Sequence, residues 1–228
     1  MNRSTRLAII LGVSIGATVS AWAGPYTIGT VTVTETGTSP AKTVQIISGT
    51  LGPLDVYAGI TELTVDGVPT NSFCIDPYQY SNSSAQPYTV ASLASAPSPT
   101  GGMGSDAALI ISNLWAENYQ AALGDDPGSA AGLQIAIWEE VASGTGISFL
   151  LAPGQSDYGA STMIAAALAA DSNGVAPVSL VALSNTTYQD YVVQNVPDSG
   201  MTLVLLGFGL ASLAIVGRKA RPVPVTTD

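Results

Sequence analysis

The chain has no histidine and only one cysteine, Cys74, among its 228 residues. Without histidine it cannot build a Ser-His-Asp or Cys-His hydrolase, a histidine-ligated zinc site or an imidazole acid-base step. A lone cysteine forms no intramolecular disulfide, even in an exported protein where oxidising conditions permit one. We therefore expect no enzyme, no cofactor and no metal, and the presence of Cys74 needs an explanation.

Basic residues are also scarce, and nearly all of them lie at the two ends of the chain. Of six bases, two lie in residues 1–23 and three in residues 218–228, which leaves Lys42 alone between them. Of sixteen acids, Asp198 and Asp228 lie near the C-terminus, so fourteen remain in residues 24–195. That region is about 13 charges negative, which argues against nucleic acid or anionic lipid as a partner.

Residues 1–23 have the pattern of a secretory signal peptide. Arg3 and Arg6 form a positive beginning, an apolar stretch follows, and Ala21 and Ala23 match an A-x-A cleavage site. The pattern predicts export and removal of this segment.

The end of the chain has three parts in a fixed order. They are the motif Val196-Pro197-Asp198-Ser199-Gly200, an uncharged apolar run over 201–217, and a basic cluster over 218–221 containing Arg218, Lys219 and Arg221. At about 1.5 Å per residue the apolar run covers roughly 25 Å, the short end of what crosses a hydrocarbon core. The basic cluster favours a cytoplasmic C-terminus, which leaves the rest of the chain outside.

This order of motif, apolar helix and basic cluster over 196–228 resembles the sorting tail of the PEP-CTERM class, and the letters VPDSG resemble its VPDSG-CTERM variant. The resemblance implies recognition by an exosortase-type membrane transpeptidase. It also implies an inner-membrane intermediate and then transfer to the cell surface or extracellular matrix of a Gram-negative-type bacterium. An ordinary single-span anchor preceded by a turn is the plainer alternative. Both interpretations place residues 24–195 outside the cytoplasm.

Between the two ends, strand patterns are followed by helix patterns and then by strands, which predicts an α+β domain over 24–195. We expect a β-barrel or sandwich-like sheet with a two- to three-helix insertion. The predicted strands cover 26–35, 43–50, 54–60, 62–65, 71–75, 178–183 and 188–193. The predicted helices cover 106–123 with Ser105 as N-cap, 130–141 with Ser129 as N-cap, and 160–170.

The candidate chemistry lies in two short stretches, around Cys74 and Gln134. Cys74 follows Phe73 in a predicted strand, and Gln134 precedes Trp138 by one helical turn. Residues at i and i+4 share a helix face, and this face is otherwise apolar. A carboxamide on the buried side of a helix needs hydrogen-bond partners.

An aromatic-Cys-aliphatic strand with a later Gln-x-x-Ile-Trp helix resembles the thioester domain of bacterial surface adhesins. The resemblance implies that the Cys74 sulfur joins the Gln134 carbonyl carbon with loss of ammonia, and that Phe73 and Trp138 flank the bond. It implies an amine- or hydroxyl-bearing surface or polysaccharide as the partner. Leu133 stands where the adhesins usually have threonine.

A non-covalent matrix or envelope protein with the same fold is the alternative. Cys74 is then a small buried hydrophobe, and Gln134 is a helix amide that bonds to a neighbouring loop. A hydrolase built on Glu139 and Glu140 is disfavoured because adjacent helix positions point about 100° apart and no acid is placed opposite them. We expect that pair on a solvated helix face.

Overall fold

The structure is a computed structural model that describes residues 26–48, 51–98, 100–124, 126–172 and 178–195. The predicted signal peptide, the sorting motif, the apolar run and the basic cluster lie outside these residues. Within the described ranges, no helix is both long enough and apolar enough to cross a membrane.

The described residues form an α+β structure with a large antiparallel sheet and three α-helices, as the order of patterns predicts. The elements are β1 Gly29–Ser48, β2 Leu51–Val65, β3 Val68–Cys74, β4 Gln86–Ser92, α1 Gly104–Ala122, α2 Pro127–Thr145, β5 Phe149–Leu151, α3 Ala160–Ser172, β6 Leu180–Ser184 and β7 Tyr191–Gln194. A single 3-10 turn, Leu93–Ser95, follows β4.

The seven described strands lie in the order β2-β3-β7-β6-β4-β1-β5, and β1 pairs with β2 as well. This extra pairing joins the two ends of the series β2 to β1, so the sheet closes on itself. The N-terminal part of β1 pairs with β4, and its C-terminal part pairs with the short strand β5. Strands β4 and β5 have no counterpart among the predicted strands.

Strands β1 and β2 are longer than the sequence predicts, with 20 and 15 residues. Each joins two predicted strands into one. Register irregularities in the β1–β2 pairing at Glu35/Gly37 and Thr38/Ala41 explain the difference. A bulge bends a strand without ending it, so the Gly-Thr-Ser-Pro segment over 37–40 continues the strand instead of breaking it.

The N-termini of two helices differ from the prediction. The carboxylate of Asp126 caps α2 by accepting hydrogen bonds from the backbone N–H groups of Gly128 at 3.0 Å and Ser129 at 3.2 Å. The prediction of Ser129 as this cap is therefore wrong, because Asp126 followed by Pro127 matches the cap and first-turn preferences better. Helix α1 begins at Gly104, with no side-chain cap from its N-cap Met103, so the prediction of Ser105 is also wrong.

Two apolar clusters stabilise the described structure. One lies between the sheet and the helices and includes Ile60, Phe73, Trp115 and most of α2. The other takes residues from β1, β2, β4, β6 and β7, and its central ring pair is Tyr88 and Tyr191 with centroids 5.9 Å apart. Because it draws on five strands of the closed series, this second cluster fills the inside of the sheet.

Helix α2 is buried on nearly every side. From Ala130 to Ala142 each residue except Glu139 is buried, as expected for a helix packed between a sheet and other helices. Gly132 makes this packing close, since a Cβ there would collide with the carbonyl oxygen of Tyr158 and lie 3.0 Å from the methyl carbon of Met163.

Replacement of Gly132 by alanine is expected to lower the free energy of unfolding by about 1–3 kcal/mol through overpacking, although alanine favours helix by about 1 kcal/mol. Gly128→Ala is the matched control, because a Cβ there meets side-chain atoms, the Asp126 carboxylate at 3.2 Å and the Tyr158 ring at 3.7 Å, and no backbone carbonyl as close as the one at Gly132. Urea unfolding of both variants measures the effect. A G132A protein as stable as the wild type would contradict this account of the packing.

Candidate functional site

Cys74 is the last residue of β3, where the strand loses one of its two neighbours. The pairing of β3 with β2 ends at Ser72 opposite Thr61, while pairing with β7 continues at Cys74 opposite Tyr191. The N–H of Ile75 donates to the carbonyl of Asp190 at 2.9 Å, on the β7 side. Because successive residues alternate sides in a ladder, the N–H and C=O of Cys74 point to the side that β2 has left.

The carboxamide of Gln134 occupies that side and pairs with Cys74. Its Oε1 accepts a hydrogen bond from the Cys74 N–H at 3.0 Å, and its Nε2 donates to the Cys74 carbonyl at 2.8 Å. Gln134 is 1% exposed. The structure therefore brings together the two residues that the sequence singles out, although 60 positions separate them.

This pairing fixes the direction of the Gln134 carboxamide relative to the Cys74 side chain. The carboxamide continues the line of backbone hydrogen bonds at the edge of β3, whereas strand side chains stand roughly perpendicular to a sheet. The Cys74 side chain therefore leaves the backbone at a large angle to the direction in which the carboxamide lies.

A cavity of about 200 Å³ lies against Cys74. Its wall combines acidic, aromatic and small side chains from β1, β2 and the segment after β3, together with Trp138 of α2. The lining residues are Glu35, Thr38, Leu54, Asp55, Val56, Tyr57, Thr61, Cys74, Pro77, Tyr78, Gln79, Tyr80, Ser81, Trp138 and Gln189. Tyr57 and Tyr80 are largely exposed, so the cavity reaches the surface beside them, while Cys74 is only 4% exposed at its inner end.

The two predicted flanking aromatics take different positions. Trp138 lines the cavity with Cys74 and packs against Phe149 with centroids 5.7 Å apart. Phe73 does not line it and packs edge-on against Trp115 of α1 at 5.5 Å. Successive strand side chains point to opposite faces, so Phe73 faces the helices when Cys74 faces the cavity. Only Trp138 is placed to flank a bond at the cavity.

The surroundings of Cys74 favour the neutral thiol. Burial raises the pKa of the thiol, and the indole N–H of Trp138 opposes this rise. The negative charges of Asp76 and Glu35 raise the pKa further, while the backbone N–H of Asp76 lowers it. The Trp138 Nε1 makes no hydrogen bond of ordinary geometry with a described residue. Desolvation is the dominant effect, and a low-dielectric site disfavours the thiolate.

Asp76 is a site residue that the sequence analysis missed. It is fully buried, and its Oδ1 accepts a hydrogen bond from the Tyr78 N–H at 3.0 Å. Its Oδ2 has no hydrogen-bond partner among the described residues. Burial, together with the charge of Asp190, raises the pKa of Asp76 to about 7. Its position before Pro77 explains the omission, because Asp-Pro after a strand indicates only that the strand stops.

Asp190 joins three segments around the site. Its carboxylate accepts hydrogen bonds from the backbone N–H groups of Ser98 at 2.7 Å and Asn185 at 2.6 Å, and from the Ser184 hydroxyl at 2.7 Å. Burial nevertheless raises its pKa, to about 6. Asp190 thus holds the loop after the 3-10 turn against the β6–β7 connection, next to β3.

The predicted solvated position is wrong for Glu140, which is 8% exposed, while Glu139 is half-buried. Burial raises the pKa of both carboxyls. The helix that carries them is buried on nearly every side, which the sequence pattern of α2 did not reveal.

No family model, curated protein or solved structure matches the chain.

The buried carboxyls predict a pH dependence of stability. The ordinary pKa of an aspartate is 3.8, and folding raises it to about 7 in Asp76 and about 6 in Asp190. The folded state therefore binds more protons than the unfolded state, and stability is lost as the pH rises through these values. The free energy of unfolding should increase by a few kcal/mol at most as the pH falls from about 8 to about 5.

Urea unfolding across that range measures the effect, and Asp76→Asn should flatten it by removing the group with the larger shift. Asp126, which caps α2, and Asp157, which accepts hydrogen bonds from the backbone N–H groups of Gly159 and Ser161, have lowered pKa values. Their protonation therefore lowers stability only in more acidic solution. The raised pKa values would be refuted if the free energy of unfolding of the wild type fell on acidification from pH 8. They would also be refuted if D76N showed the same pH dependence of stability as the wild type.

Proposed function

We propose that the protein is exported, sorted by an exosortase-type membrane transpeptidase, and attached to a partner at the cell surface or in the extracellular matrix through a Cys74–Gln134 thioester. The observation that carries the proposal is the pair of hydrogen bonds, at 3.0 and 2.8 Å, between the Gln134 carboxamide and the Cys74 backbone. These bonds hold the acyl carbon of Gln134 at the residue that supplies the sulfur.

The chemistry balances without any cofactor. The Cys74 sulfur adds to the Gln134 carbonyl carbon, the bond from that carbon to Nε2 breaks, and the thiol proton leaves with the nitrogen as ammonia. An amine or hydroxyl on the partner later adds to the same carbon, and the carbon-sulfur bond breaks to regenerate the thiol. The chain is consumed once in this reaction, so it is an attachment device and not an enzyme.

Burial of the site supports an ester that survives in water. A thioester hydrolyses unless water is excluded, and here Gln134 and Cys74 are 1% and 4% exposed. The cavity that reaches the surface beside Tyr57 and Tyr80 supplies an entry for a nucleophile.

The distribution of lysine also supports the proposal. Lys42 is the only lysine or arginine in residues 24–195, and it does not line the cavity at Cys74. It lies instead in β1, opposite Ala58 of β2. The described part of the chain thus offers no lysine of its own at the cavity to capture the thioester.

A second candidate is a non-covalent matrix or envelope component with the same fold and no thioester. One observation favours it: the Gln134 carboxamide already satisfies the backbone of Cys74 at the end of β3. That is a complete structural role for a buried amide. Cys74 is then only a small hydrophobe.

Intact-mass measurement of the purified mature protein separates the two candidates. A thioester lowers the mass by one ammonia relative to the sequence, and methylamine then adds its own full mass. Cys74→Ser is the matched control, because it keeps the size of the side chain and should keep the sequence mass under both conditions. A wild-type protein at its sequence mass that does not react with methylamine would leave only the non-covalent candidate.

The sorting half of the proposal is tested separately in the native host. Replacement of Val196-Pro197-Asp198-Ser199-Gly200 by five alanines should leave the uncleaved chain in the membrane fraction. Removal of the sorting enzyme should have the same effect on the wild type. A protein that still reaches the medium at its normal processed size after the replacement would refute sorting through this motif.

A further inference from the structure

The indole N–H of Trp138 is a buried donor without an acceptor. Trp138 is 2% exposed, and no described residue accepts a hydrogen bond from its Nε1. Buried tryptophan N–H groups usually find a partner, and leaving one unmade costs on the order of 1–3 kcal/mol. At this position the donor shares a cavity with the Cys74 thiol.

The donor lies at the cavity beside the candidate reacting pair. Trp138 lies one helical turn after Gln134, so both side chains project from the same face of α2. Trp138 and Cys74 both line the cavity, and the indole N–H is the side-chain donor that lowers the pKa of the Cys74 thiol. Phe149 packs against the Trp138 indole, with ring centroids 5.7 Å apart.

The site has no cation that could stabilise a negative sulfur. The charged groups that act on Cys74 are Asp76 and Glu35, which are both acidic. The chain contains no histidine, and Lys42 does not line the cavity. A neutral donor is therefore the remaining kind of side chain that can stabilise the thiolate in this cavity.

We propose that the Trp138 indole N–H donates a hydrogen bond to the Cys74 sulfur whenever that sulfur carries negative charge, and so is a catalytic group for thioester formation and opening. This inference rests on the proposed function. In the opening reaction an amine adds to the Gln134 carbonyl carbon, the carbon-sulfur bond breaks, and its electron pair stays on the sulfur. The amine proton then passes to the sulfur, while Trp138 keeps its own proton throughout.

Trp115 provides a matched control within the same molecule. It is also buried, and its Nε1 also has no acceptor among the described residues. It stacks on Tyr119 with centroids 4.4 Å apart, and it does not line the cavity at Cys74. The loss of an indole N–H at this position should leave the chemistry unchanged.

The test replaces Trp138, and in a second protein Trp115, by benzothienylalanine, which keeps the ring shape but lacks the N–H. The rate of methylamine opening is followed by intact mass on the full mature chain. A hydrogen bond to a charged group contributes about 1.5–3 kcal/mol, so the replacement at position 138 should slow opening by roughly 10- to 100-fold. The replacement at position 115 should leave the rate unchanged. Equal rates for the wild type and the protein altered at position 138 would overturn the inference.

A second measurement separates this inference from the proposed function. The free thiol, in methylamine-opened protein or in protein that never forms the ester, is alkylated with iodoacetamide at fixed pH. Loss of the Trp138 N–H should slow alkylation by a similar factor, because less of the thiol is ionised. If wild-type protein has no thioester, the proposed function fails and alkylation alone decides the role of the N–H. A Trp138 that only shields the sulfur would give an unchanged rate with the isosteric ring and a faster rate with Trp138→Phe.

Discussion

The site depends on one pairing, in which the Gln134 carboxamide takes the place of a missing strand beside Cys74. β2 stops pairing with β3 at Ser72, and the next outward-pointing backbone groups on that edge belong to Cys74. Buried backbone groups without partners cost about 1–3 kcal/mol each. Gln134 satisfies both with a single side chain, and in doing so it fixes the distance between α2 and the sheet.

The placement of α2 follows from local features at its two ends and from its close packing. The Asp126 carboxylate and Pro127 set the first turn, and Gly146, with φ of 71°, ends the helix in the left-handed conformation that suits glycine. Gly132 lets the helix approach Tyr158. Once the first residue of α2 and its distance from the neighbouring segments are fixed, the helical repeat puts Gln134 and Trp138 on the face that meets β3. The candidate chemistry therefore depends on ordinary helix capping and packing.

The sequence could predict the α+β class, most of the strands and helices, and the meeting of Cys74 with Gln134, because each of these is written in local patterns or in two short motifs. It could not predict that β1 runs through the bulges near Gly37, since glycine and proline also mark breaks. It gave no role to Asp76, since Asp-Pro after a strand indicates only that the strand stops. It missed Glu35 and Tyr57, which reach the cavity only when distant strands pair. It placed Glu140 in solvent because burial of a helix on all sides depends on neighbours that its own sequence does not specify.

Burial acts on this site in two opposing ways. It would protect the proposed thioester from water, but it also raises the pKa of the Cys74 thiol and so disfavours the thiolate nucleophile that the proposal requires. A strong cation would resolve the conflict by holding a permanent thiolate, and it would also make the sulfur a better leaving group toward water. A neutral donor stabilises negative charge only while it develops on the sulfur, without attracting it in the resting state. An acidic, histidine-free cavity with one unpartnered indole N–H is thus compatible with a bond that forms slowly and persists.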